Sequence, residues 1–320
     1  MILFTVFVFG AVILGAGAML SPAWPTAQPR IGLAATFALA LIVGGAVFLT
    51  ALFGWQTLLV DYLLFALVVG IFLGGTLSVG QQRAEKRGET LSDADQGWPS
   101  ARDLAFFAGV GLAFLLLALF MPARASDASL TLQAGDTLDQ LTQASIIQPP
   151  AFTTLSTYLS TQLGQSLESV QRSIGAVLGL LNVWLLSDFV TELRGARPLK
   201  KNTLRLRLIV FMLPLIVLFW VGAYPSMLGL AFAQAAAIFG LRYLRAQYLI
   251  DAIAAGLMLG AVAISSFPVL LLVVILAVVA LGVGLLRGQQ GGRRTWAVLM
   301  AGVPVVALLA ISPWLLDLLL

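Results

Sequence analysis

"SIGAVLGLLNVWLLSDFVTELRGARPLKK", residues 173–201, decides the fold. From Ser173 to Ser187 it carries no charge. Asp188 and Glu192 follow, and then Arg194, Arg197, Lys200 and Lys201. An apolar run of about 20 residues is the length that crosses a bilayer core as a helix. A basic edge after such a run marks the cytoplasmic side, where Lys and Arg accumulate.

The same pattern repeats along the chain. Ten apolar runs emerge, at about 2–20, 31–54, 57–80, 104–121, 173–193, 208–223, 227–241, 249–265, 268–286 and 295–312. The first lacks the basic start of a signal peptide and reads as a span. With the N-terminus outside, one side of the membrane holds Arg30, Arg83, Lys86, Arg87, Arg102, Arg194, Arg197, Lys200, Lys201, Arg205, Arg207, Arg242, Arg245, Arg287, Arg293 and Arg294. The other side holds Arg124 and Arg172, and together these are all 18 cations. The expectation is an all-α integral membrane protein of the plasma membrane with about ten transmembrane helices and both termini extracytoplasmic.

Composition agrees. The 320 residues are 60% hydrophobic and 10% charged, and the mean hydropathy is +1.00. Soluble domains carry about 25% charged residues. Soluble α/β and all-β folds are therefore excluded. The chain has no Cys and no His. That removes disulfides, His- or Cys-ligated metals, the usual haem ligands and His or Cys catalysis. No cofactor is evident. A hard divalent cation held by carboxylates is the one metal chemistry left. The net charge of +4 is placed for anionic headgroups rather than nucleic acid.

The cytoplasmic linker 81–103 divides an N-terminal three-span module, 1–80, from a seven-span module, 104–320. Glycine pairs at four-residue spacing, Gly70/Gly74, Gly175/Gly179 and Gly256/Gly260, suit close helix packing within the chain. Pro214 and Pro304 interrupt spans. Ionisable residues inside spans are scarce. Asp61 lies near an outer end, Asp188 and Glu192 lie close to Arg194, and Asp251 lies near Arg245. Gln234 reads as the one amide near a midplane, placed for an interhelical hydrogen bond. A proton or ion pathway would need more than this.

The large outer loop, 122–172, carries the remaining polarity. "GDTLDQLTQASII" (135–147) reads as an interfacial helix with Asp136 at its N-cap and Asp139 in its first turn. The same two carboxylates, three residues apart, can also serve a general base or bind a divalent cation. "AFTTLSTYLSTQLG" (151–164) places Leu155, Tyr158, Leu159 and Leu163 at helical spacing, a second interfacial helix.

From about residue 104 onward the arrangement resembles the membrane module of GT-C-fold glycosyltransferases, which use polyprenyl-phosphate-linked sugars. The matching stretches are "GDTLDQLTQASIIQPPAFTTLSTYLSTQLGQSLESVQRSIGAVLGLLNVWLLSDFVTELRG" (135–195), "YLIDAIAAGLMLGAVAISSFPVLLL" (248–272) and "GVPVVALLAISPWLL" (302–316). The resemblance implies a catalytic Asp at Asp136, or else Asp139. Arg124 and Arg172 are the outer cations that remain for a lipid phosphate.

This sequence also departs from the family. The second outer loop, "GAYPSMLG" (222–229), has no acid. The tight turn Ser265, Ser266, Phe267, Pro268 has no cation, and the chain stops where many members continue. Transfer from a lipid phosphate needs positive charge at the leaving group. The chain therefore reads as a truncated, degenerate member: a non-catalytic, lipid-binding or accessory subunit of a membrane complex. The alternative is an active glycosyltransferase with Asp136 as base. A transporter or flippase is the third class. Expected partners are membrane lipids, including polyprenyl phosphate, and other membrane subunits.

Overall fold

The computed structural model describes residues 2–24, 30–85, 101–120, 150–194, 201–286 and 298–319. Every element among them is helical. In order they are α1 (Ile2–Ala23), α2 (Ile31–Phe53), α3 (Thr57–Glu85), α4 (Ala101–Phe120), α5 (Ala151–Leu163), α6 (Leu167–Arg194), α7 (Lys201–Trp220), α8 (Tyr224–Ala246), α9 (Leu249–Ala263), α10 (Phe267–Leu286), a π-helical turn (Val298–Gly302) and α11 (Val303–Leu319). Each of the ten apolar runs overlaps a helix among the described residues. By length and composition, five helices among the described residues can cross a membrane: Ile2–Ala23, Ile31–Phe53, Arg102–Phe120, Leu167–Leu193 and Tyr224–Ala246. Shorter apolar stretches lie on α3, α7, α9, α10 and α11.

The outside of the bundle fits an apolar surrounding. Phe7 on α1, Phe65 on α3, Phe120 on α4, Leu213 on α7, Leu271 on α10 and Leu309 on α11 are all more than 60% exposed. Large apolar side chains exposed on so many helices suit lipid better than water.

α6 is the hub. It packs against α1, α2, α4, α5, α7 and α8, while α8 and α9 form the most extensive pair and α11 rests on α9 and α2. α3 lies on α1 and α2. Residues on both sides of the 81–103 linker share one core, including Phe9, Ile13, Leu39, Phe114, Ile174, Phe232 and Met258.

Small residues make this closeness possible. A Cβ at Gly179 would lie 2.5 Å from the ring of Phe114, and one at Gly256 would lie 2.7 Å from Val306. These two glycine pairs serve packing inside the chain. Gly70 is different, with nothing within 4 Å of the position of its missing Cβ.

Local chemistry sets the ends. α6 begins at Leu167, six positions before the apolar run, because Glu168 and Arg172 pair one turn apart and continue the helix outward. Arg172 therefore sits on α6 rather than in a loop. α5 ends at Gly164, whose left-handed backbone (φ 59°) lets its N–H cap the carbonyl of Ser160. Pro304 has no N–H to give to the preceding turn, and a wider π turn stands just before it. Pro214 lies inside α7.

Candidate functional site

The polar side chains gather at the two ends of the bundle, with one amide pair between them. At the first end, the close of α1 meets the start of α9. Trp24 donates its indole N–H to Asp251 Oδ1 at 3.2 Å, and Arg242 Nε approaches the same oxygen at 3.6 Å. Trp24 stacks on Phe239 and meets Phe37 edge-on, with centroids 5.3 and 5.1 Å apart. All three polar partners are buried.

Beside them Arg30, at the start of α2, pairs with Asp188 near the end of α6 at 3.2 Å. Gly32, two residues on, lies against Trp184, where a Cβ would be only 2.9 Å from the indole. Arg245 pairs with Glu192 at 3.1 Å, and Arg205 with Asp103 at 2.8 Å. Four of the five ion pairs among the described residues thus lie at this end. Each acid is met by a cation from a different helix. In the chain Arg194 lies near Asp188 and Glu192, and Arg245 near Asp251; the cations in contact are Arg30 for Asp188, Arg245 for Glu192 and Arg242 for Asp251. Pairing here follows the packing of helix ends, which brings together positions up to 158 residues apart, and not nearness in the chain.

At mid-bundle, Asn182 on α6 donates to the carbonyls of Leu178 and Met227 at 2.8 and 2.9 Å. Gln234 on α8 donates to Asn182 Oδ1 at 3.3 Å. Gln234 makes the interhelical bond expected of it, but it is not the one amide at this depth. Asn182 is the residue that sequence reasoning overlooked. Its signal was an amide in an otherwise uncharged run.

Of the outer-loop candidates, Asp136, Asp139 and Arg124 lie outside the described residues. Arg172 is described, and its guanidinium pairs with Glu168. Tyr224, which stacks on Phe152, lies within electrostatic range of both. The turn between α9 and α10 offers hydroxyls rather than charge. Ser265 donates to the carbonyl of Ala261 at 2.6 Å, and Ser266 meets Ser226 at 3.3 Å. Both serines are buried.

α5 buries Ala151, Phe152 and Leu155 against the bundle, so its apolar face looks inward. The phenol of Tyr158 donates to Asp61 Oδ1, and Gln162 Nε2 donates to the same oxygen at 3.0 Å. Burial first, and then the hydrogen bond to Asp61 and its charge, push the phenol above the usual tyrosine range.

Chemically, the described part of the second end offers one neutralised ion pair, hydroxyls and an oriented carboxylate. No group of three or more acids converges among the described residues. No family model matches the chain, and neither a curated protein nor a solved structure matches it.

Proposed function

We propose that this chain is a ten-span protein of the plasma membrane, with both termini extracytoplasmic, built on a GT-C-like scaffold. On this reading it is a non-catalytic lipid-binding or accessory subunit of a membrane complex. The charge-rich end faces the cytoplasm, and α5 faces the outside. The observation that carries the reading is the pairing of Arg172 with Glu168. A phosphate arriving at this outer cation meets a guanidinium already neutralised one helical turn away. Charge-assisted bonds to a leaving phosphate are a large part of catalysis in such transfers. The serine turn at 265–266 adds no cation to replace it.

Purification from native membranes tests the reading. It predicts a stable assembly larger than the single chain and no transfer of sugar from a polyprenyl-phosphate donor. A lone monomer with transferase activity contradicts it.

A further inference from the structure

We infer that α1–α3 form a docking unit that holds α5 in place, and that this unit stays bound to the rest of the bundle without the covalent linker.

The start of α5 is fixed by the later part of the chain. The Ala151 N–H donates to the carbonyl of Ile264 at 3.0 Å, and Phe152 stacks on Tyr224 at 5.9 Å. The middle and end of α5 are held by the N-terminal helices instead. Asp61, five positions into α3, accepts from both Tyr158 and Gln162, which lie one turn apart on α5. Thr5 on α1 donates to Gln165 Oε1 at 2.7 Å. Gln165 closes the end of α5, since its N–H donates to the carbonyl of Ser160 and its own carbonyl accepts from the Ser160 hydroxyl. α2 packs along the same helix. Three side-chain hydrogen bonds from two different helices therefore converge on the thirteen residues of α5 and on Gln165 just past its cap. Thr5 and Gln165 are buried, so water does not compete for that bond.

The same unit is fastened along its length. Trp24 reaches Asp251, Arg30 reaches Asp188, and Gly32 admits Trp184. In lipid, helices associate through close packing and interhelical hydrogen bonds, and both are present here. The surface formed by α5, α6 and the α8–α9 ends thus fits one kind of partner. That partner is an apolar helical hairpin with a hydroxyl at one end and Trp and Arg at the other, and with a third helix presenting a carboxylate.

The test uses the full chain in mild detergent, with a protease site inserted between residues 86 and 100. After cutting, the two pieces are expected to migrate together, with amide exchange in 151–165 unchanged. In uncut protein, the double substitution Thr5→Val with Asp61→Ala is expected to speed exchange in 151–165 by about tenfold or more, the scale of losing several hydrogen bonds. Exchange in 231–239 of α8 stays as it was. Tyr158→Phe removes one of the three bonds and is expected to speed exchange in 151–165 several-fold, which covers the case of a double variant that does not fold. Separation of the pieces on cutting overturns the inference. So does exchange in 151–165 that neither variant changes.

Discussion

Trp24 and Asp251, 227 positions apart in the chain, are joined by a 3.2 Å hydrogen bond at one end of the bundle. Asp251 is only 1% exposed and also faces Arg242. Removing one partner of a buried ion pair strands the other charge, at a typical cost of about 3–5 kcal/mol. Asp251→Ala is therefore expected to lower the denaturation midpoint in detergent strongly. Trp24→Phe keeps the ring and loses the N–H, and should cost about 1 kcal/mol. Equal and small effects for both would mean that the cluster does not hold the helix ends together.

The glycines separate close packing from open surface. Gly179→Ala drives a methyl into Phe114, with the missing Cβ position 2.5 Å from the ring. Overpacking of this kind costs about 1–3 kcal/mol. Gly70→Ala meets nothing within 4 Å and should be neutral or stabilising by up to about 1 kcal/mol. Thermal unfolding of the two variants side by side checks the contrast.

Tyr158 gives a pH signature. Its phenol is held above the usual tyrosine range by burial and by Asp61. The folded state therefore binds this proton more tightly than the unfolded state does. The stability it contributes is complete below the ordinary tyrosine pKa, about 10. It is lost as pH rises through the higher folded value. Ultraviolet titration should show a late-ionising absorbance whose amplitude falls by one tyrosine in Tyr158→Phe, and Asp61→Ala should move that tyrosine's share to lower pH. A Tyr158→Phe variant whose late amplitude is undiminished would contradict the assignment.

The chain has no native cysteine, which makes single-cysteine labelling clean. Gln247→Cys lies in the exposed turn between α8 and α9, and Gln162→Cys on α5. In sealed, intact cells an impermeant thiol reagent should label position 162 and spare position 247. The reverse pattern would invert the proposed orientation.

The helices were legible because hydropathy along 173–187 and its nine counterparts is a property of the local sequence. So was the packing role of Gly179 and Gly256, since small residues at four-residue spacing let helices approach. Partner choice was not legible. Asp188 lies six residues from Arg194 in the chain, yet it pairs with Arg30, because α2 begins where α6 ends. Asn182 gave little warning, since its importance depends on α8 bringing Met227 and Gln234 beside it. The inward face of α5 depends on the same kind of information. Phe152 and Leu155 suit a lipid surface and a protein groove equally well. Only the position of the α9–α10 turn, whose Ile264 carbonyl takes the Ala151 N–H, selects the groove.

On the proposed function, the chain works as a subunit rather than as an enzyme on its own. Native mass spectrometry of the protein extracted from its own membrane tests this most directly. A mass well above that of the 33.9 kDa chain is expected, with a second polypeptide that leaves only on activation. A particle of one chain that moves sugar from a polyprenyl-phosphate donor, and stops doing so in Asp136→Asn, would contradict it.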